Sequence, residues 1–396
     1  MSDNNSHKGF IDNVIIPLGT STIYENDFRG STLLSVTIPN SVKEIRAGAF
    51  KDCYRLRSIE IPNSVKRIGS FAFESCSSLR SISLPDSLNT IADYIFSGCF
   101  SLMSIKIPES VSEIGECAFW GCSNLTEIEI PDNVTKIENR AFQDCTRLVS
   151  IRLPDGLKTI EYSTFFNCKE LRDIEIPDSV TEIGDSAFDG CINLTRIEIP
   201  NSVAIIGRRA FADCHGLTSI EIPESVMEIG DSAFEGCSEV TKIMVSADNT
   251  CFMAGQNCLL DKKGELLIKG CSNSSIPGSV RIIGCTAFYN CTKLTRIKIP
   301  NRARTIDGSA FYGCTGLLSV ELPESVTEFG YRPFEGCTGI KEIKLHGKVP
   351  HETEQLIRYS GLENLNGISL YVPVGTGYAY RHNSYFSQFK EILPVL

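Results

Sequence analysis

The sequence predicts a repeat solenoid: a right-handed coil with one parallel β-sheet face and short helical or 3-10 segments opposite. Three observations predict it. The prolines Pro39, Pro62, Pro85, Pro108, Pro131, Pro154, Pro177, Pro200 and Pro223 stand 23 residues apart, and the series resumes at Pro277, Pro300 and Pro323. Before each proline two apolar residues alternate with polar ones, as in Ile59-Glu60-Ile61-Pro62. After it, Ala72-Phe73 and Cys76 recur as a second apolar group. A fixed period of about 20 to 50 residues marks units that stack one on the next.

Each position has a physical reading. Ile59 and Ile61 have the period of a short strand with one face buried. The proline ends that strand, because it cannot donate to a ladder, and presets a turn. Asn40, Asn63, Asp86, Asp132, Asp155, Asp178 and Asn201 follow the prolines and suit turns, with Glu109 and Glu224 in the same place. Val65 and Ile68 point inward again, and Gly69, Gly115, Gly184, Gly207 and Gly230 let the chain bend. Ala72, Phe73 and Cys76 have the spacing of one buried helical face, read as a turn of helix or 3-10 helix. One such unit buries too little to order its own chain, so only stacking makes it stable.

The pattern L-x-x-I-x-I-P-x-S-V-x-x-I-G-x-x-A-F-x-x-C is carried by Leu171, Ile174, Ile176, Pro177, Ser179, Val180, Ile183, Gly184, Ala187, Phe188 and Cys191. It resembles the 23-residue leucine-rich repeat of BspA-type bacterial and protist surface antigens, over residues 14 to 345. The resemblance implies a leucine-rich-repeat coil and a macromolecule-binding, adhesin-like role at a cell surface. In commoner leucine-rich repeats an asparagine stacks at the end of the strand. Here Ser41, Ser64, Ser87, Ser110, Ser179, Ser202 and Ser225 stand near that place, so a serine or backbone ladder is expected instead.

The net charge of −10 and pI near 5.2 argue against nucleic acid or an anionic membrane as partner. No run approaches the ~18 apolar residues of a membrane span. The opening Met1-Ser2-Asp3-Asn4-Asn5-Ser6 lacks the apolar core of a signal peptide. Two localisations follow: cytoplasmic if the chain is full-length, or cell-surface or secreted, as the resemblance implies, if a leader was removed.

The chain has 17 cysteines, of which twelve share one repeat position: Cys53, Cys76, Cys99, Cys122, Cys145, Cys168, Cys191, Cys214, Cys237, Cys291, Cys314 and Cys337. Two readings compete. Neighbouring coils could bridge, but in-register side chains point the same way rather than at each other. The favoured reading is a ladder of buried thiols, each a weak donor to a carbonyl, which implies a reducing or anaerobic habitat.

Residues 1–13 are polar and expected to be disordered. Val14-Ile15-Ile16-Pro17 opens a worn first unit, one residue short, with Phe28 as anchor and Gly30 in the cysteine place. The solenoid is expected to span residues 14–345 in about 13 units. Within it, residues 244–276 form an irregular insertion, where the proline spacing is 54 instead of 23. There Asp261-Lys262-Lys263-Gly264 signals a turn between Cys258-Leu259-Leu260 and Leu266-Leu267-Ile268, read as a β-hairpin. The surface antigens carry a similar D-x-x-G-x-L-L insertion. Cys251, Cys258 and Cys271 fall here, without the tight pairs or histidine that zinc requires. Residues 346–396 read as a C-terminal cap, with a helix over Glu352 to Leu365 and a strand and turn at Gly367 to Pro373. Its aromatic run (Tyr378, Tyr380, Tyr385, Phe386, Phe389) closes the last sheet edge or, alternatively, forms a binding patch.

No catalytic constellation is present. His7, His215, His346, His351 and His382 belong to no metal or acid–base motif, and no phosphate loop, dinucleotide fingerprint or nucleophile elbow occurs. The reading is therefore a non-enzymatic interaction protein without metal or cofactor, expected to be a monomer and to bind a protein or glycan. The alternative is an intracellular scaffold. The candidate docking face is the outward stripe of the strands, where Glu127, Glu129, Glu175, Glu198 and Glu221 lie beside Arg152, Arg172 and Arg196. Against it stands a merely solvated mixed-charge face. Trp120 is a further possible anchor.

Overall fold

A computed structural model describes residues 12–347, 354 and 357–395 of the chain. They fall into two compact units, Met1–Ile192 and Asn193–Leu396. Both are parallel-strand β-solenoid, about 16 turns between them, with almost no helix.

In the first unit the expected strands pair in parallel, one repeat apart: Asn13–Ile15 with Ser35–Thr37, Ser58–Glu60 with Ser81–Ser83, and Glu127–Glu129 with Ser150–Arg152. Isoleucine meets isoleucine across each pair, as Ile59 with Ile82 and Ile128 with Ile151, and these side chains are buried. The flanking polar residues therefore all face outward, because side chains alternate along a strand.

A second parallel ladder runs through the unit at the place of Ile68. It joins Thr22–Ile23, Glu44–Ile45 and Arg67–Ile68, then Thr90–Ile91, Glu113–Ile114 and Lys136–Ile137, then Thr159–Ile160 and Glu182–Ile183. Two-residue strands are too short to show an alternating pattern in sequence. The glycine at the end of this segment serves close approach rather than a bend: a Cβ on Gly69 would lie 2.6 Å from the Ala47 nitrogen.

The Ala-Phe segment is not a helical turn. Two residues per coil adopt the left-handed conformation, such as Phe71 and Ser75, Tyr94 and Gly98, or Cys117 and Gly121. Alternate N–H groups then cross to the next coil, from Phe71 to Asp93 O (3.0 Å), Phe73 to Ile95 O (3.0 Å) and Ser75 to Ser97 O (2.7 Å). Between them Glu74 and Cys76 donate back to Phe71 O and Phe73 O (both 3.1 Å) and close turns within the coil. A helix would direct every N–H along its own axis and leave the coils unjoined here.

Two columns run through the core beside the buried isoleucines, valines and leucines. Phe28, Phe50, Phe73, Phe96, Phe119, Phe142, Phe165 and Phe188 stack face to face, with centroids 5.1–5.9 Å apart. Beside them each cysteine thiol donates to the phenylalanine carbonyl of the preceding coil: Cys76 to Phe50 O at 3.1 Å, Cys99 to Phe73 O at 3.2 Å, Cys145 to Phe119 O at 3.2 Å. All 17 cysteines are unbridged. Burial pushes the Cys99 thiol up to about 12 and raises Cys122, Cys145, Cys168 and Cys191 as well. These thiols stay protonated and keep donating. A partial serine ladder accompanies them. Ser110 Oγ donates to Leu88 O (2.7 Å) and Ser179 Oγ to Leu157 O (2.5 Å), whereas Ser64 Oγ is buried without a partner.

At the N-terminal end, residues 1–11 lie outside the described residues. The cysteine place of the first coil is taken by Ser31, not Gly30: Ser31 N donates to Phe28 O (3.0 Å) as Cys53 N donates to Phe50 O. Gly30 has the left-handed conformation that Asp52 has one coil later.

The second unit repeats the scheme, with Phe211 on Phe234 and Phe288 on Phe311 on Phe334. Its insertion contains the expected hairpin, Cys258–Asp261 antiparallel to Leu266–Lys269. A further strand, Phe252–Gly255, pairs with Cys258–Asp261 through a turn at Gln256 and Asn257, both left-handed. Leu266–Leu267 then pairs in parallel with Ile282–Ile283 and so takes one rung of the second ladder. The closing segment adds two rungs to the first ladder, Ser369–Val372 beside Glu342–Leu345 and Glu391–Pro394 beside Ser369–Val372. Of the helix expected over Glu352 to Leu365, Glu354, Ile357 and Arg358 are helical among the described residues, whereas residues 359–364 are turn and loop, so the helix ends well short of Leu365.

Candidate sheet-face binding surface

In the first unit the ladder of first strands places Glu127, Glu129, Arg152, Arg172 and Glu175 outward, and all five are exposed. Glu127 faces Ser150 and Glu129 faces Arg152 across one pair of strands. The isolated pairing of Ser150 with Asp173 carries the same register one coil further. Two carboxylates on one strand are therefore about 7 Å apart, and those two coils away about 10 Å.

The two arginines are engaged locally. Arg152 Nη1 donates to Asp132 Oδ1 at 2.7 Å, and Arg172 Nη2 lies 3.8 Å from Glu170 Oε2. By contrast, the carboxylates of Glu127, Glu129, Asp173 and Glu175 make no hydrogen bond or ion pair among the described residues. Arg152 thus turns to the loop rather than to a hydrogen bond with Glu129 on the neighbouring strand. Asp132 competes from the turn after the proline, a position fixed by the same period. Exposed pairs of this kind contribute little to stability, so the charges are free to vary without harming the fold.

In the second unit Arg196, Glu198 and Glu221 are exposed as well. Arg196 and Glu198 pair with each other, and Glu221 lies opposite Met244.

The other candidates are placed as follows. Trp120 is 41% exposed, and its indole N–H donates to Asp144 Oδ2 at 3.0 Å, so its edge is already occupied. Of the closing aromatics, Tyr380, Tyr385, Phe386 and Phe389 are buried together and only Tyr378 is exposed. Tyr380 donates its hydroxyl to Gly347 O (3.0 Å). His215 contacts Gly236 O and His346 contacts Glu321, while His7 and His351 lie outside the described residues. Among the described residues no group of three or more metal-ligating side chains converges, and no helix is long and apolar enough to cross a membrane.

The repeat geometry agrees with a family model, the BspA type leucine-rich repeat region, which matches residues 5–126, 113–241 and 268–383. The chain belongs to the BspA-type leucine-rich repeat family. Among solved structures, this BspA-type chain is similar to a leucine-rich repeat protein from Bacteroides ovatus, at 30% identity and a TM-score of 0.60 over 90% of this chain and 96% of that one. It is also similar to a leucine rich cell surface protein from Faecalibacterium prausnitzii, at 25% identity and a TM-score of 0.53 over 98% of this chain and 89% of that one. No curated protein matches the sequence. Leucine-rich-repeat proteins of this kind are typically interaction scaffolds rather than enzymes, and the BspA-type likeness suggests association with a surface.

Proposed function

We propose that this BspA-type protein is a non-enzymatic, adhesin-like binding protein of a bacterial or protist cell surface, which docks a macromolecular partner on its sheet face. The observation that carries the reading is the contrast between the two sides of each strand. Inward positions repeat isoleucine coil after coil, whereas outward positions read Lys106, Glu129, Arg152 and Glu175 in turn. Packing dictates the first and not the second. Four carboxylates on two coils, with one coil between them, make no hydrogen bond or ion pair among the described residues, and unpaired surface charge sets partner choice and association rate. A protein or glycan presenting cationic groups fits this face best. The cell-surface neighbour supports the location.

A second reading, an intracellular scaffold, is favoured by the unbridged state of every cysteine, which suits a reducing compartment. An upstream leader sequence in the native gene separates the two.

The surface itself is tested on an array of extracellular proteins and glycans. A Glu127→Lys, Glu129→Lys, Glu175→Lys variant is expected to keep its fold and lose binding, with association slowed roughly tenfold or more at low salt. Wild type and variant binding the same partners equally well would remove this face as the site. Glu198→Lys with Glu221→Lys makes the same test for the second unit.

A further inference from the structure

The three cysteines of the insertion do not belong to the thiol column, and two of them are brought together. Cys258 opens the strand Cys258–Asp261, and Cys271 follows the antiparallel strand Leu266–Lys269. The pairing of Leu259 with Lys269 places them at the same end of this hairpin. Ser274 ties them further. Its hydroxyl donates to the carbonyl of Asn257, the neighbour of Cys258, at 2.6 Å, and lies 3.3 Å from Cys271 Sγ. Burial pushes the Cys258 thiol up to about 12, with Ser274 drawing it back and Cys271 adding to the rise.

Column cysteines such as Cys99 have a phenylalanine carbonyl about 3.2 Å away and side chains that point the same way. Cys258 lacks such an acceptor, with Ser275 O at 3.6 Å and Gln256 O at 3.8 Å. Cys271 Sγ instead receives the Asn257 side-chain N–H at 3.0 Å and donates to Asn273 Oδ1 at 2.9 Å. The strands run in opposite directions, so the geometric argument against bridging within the column does not apply here.

We propose that Cys258 and Cys271 are a dithiol modification site that closes to one disulfide by exchange with a small disulfide. Cys271 Sγ attacks one sulfur of the reagent, whose S–S bond breaks and whose first half leaves as a thiol with the Cys271 proton. Cys258 Sγ then displaces the second half, which leaves with the second proton. One S–S bond breaks and one forms; the protein pair is oxidised and the reagent is reduced to two thiols. The bridge would pin the base of the hairpin to the Cys271–Ser275 turn. Both thiols are buried, so exchange waits on local opening of that turn.

The test treats the native full-length chain with cystamine, quenches in acid and maps disulfide-linked peptides by mass spectrometry. A peptide pair joining Cys258 to Cys271 is expected to appear in most molecules and to vanish on reduction. Cys258→Ser and Cys271→Ser should each abolish it and leave a cystamine half on the remaining cysteine. Absence of the linked pair from the treated wild type would overturn the proposal, even if a variant fails to fold. Linkage of Cys271 to Cys251 or Cys285 would overturn it equally.

Discussion

Phe142→Ala is expected to lower stability by about 3–5 kcal/mol, read as a large fall in the denaturation midpoint. Phe142 is fully buried and stacks on Phe119 at 5.4 Å and Phe165 at 5.7 Å. Its removal opens a cavity between coils and breaks two ring contacts, each contributing about 0.5–1.5 kcal/mol beyond area burial. Phe28 is only half-buried and heads the column, stacking on Phe50 alone, so Phe28→Ala should cost clearly less. The comparison distinguishes a stacked column from a set of independent anchors. Equal losses at both positions would contradict it.

Restoring the repeat consensus at Gly270 is expected to destabilise the protein, by about 2–3 kcal/mol for Gly270→Phe. Gly270 stands where other coils carry phenylalanine. Its N–H donates to Ala287 O at 2.9 Å, as Phe50 N–H donates to Ala72 O at 2.8 Å, and the Cys291 thiol points to Gly270 O at 3.9 Å. The vacated space is filled: a Cβ on Gly270 would lie 2.2 Å from Cε1 of the fully buried Phe288 ring. The adjacent Lys269 occupies the alanine place and is buried, with its Nζ lacking a hydrogen-bond partner. Consensus substitutions usually stabilise repeat proteins, so a loss here reports that the inserted coil has its own packing. An unchanged or raised denaturation midpoint would show that the ring can move aside.

What sequence alone revealed follows from which interactions are periodic. Ile59, Phe73 and Cys76 recur because every coil must fill the same inner space, and that recurrence specified strand, ring column and thiol column. The second ladder was hidden because Arg67–Ile68 is two residues long and has no pattern of its own. The left-handed residues were hidden because Phe71, Tyr94 and Cys117 carry none of the glycine signal that usually marks that conformation. The turn at Gln256 and Asn257 was missed for the same reason, and with it the third strand of the insertion. On the outer face the residues of the stripe are exposed, as strand alternation requires. The sequence could not show that Arg152 turns to Asp132, since that choice is made across coils by side chains that no repeat constrains.

The account rests on buried thiols that face carbonyls rather than one another. Counting them is the most direct test: the chain as isolated is labelled with a maleimide, native and then unfolded, without reductant at any stage. Cys285 is the one exposed cysteine and Cys251 is half-buried, so these two alone should label in the native state. Cys285 should react slowly at neutral pH and faster as pH rises, because burial of part of its side chain and then Asp307, Glu235 and Asp231 push its thiol up. Unfolding should bring the total to all 17. Rapid native labelling of Cys99, Cys122 or Cys145, or a total that stays short of 17 because column thiols are bridged, would contradict the structure described here.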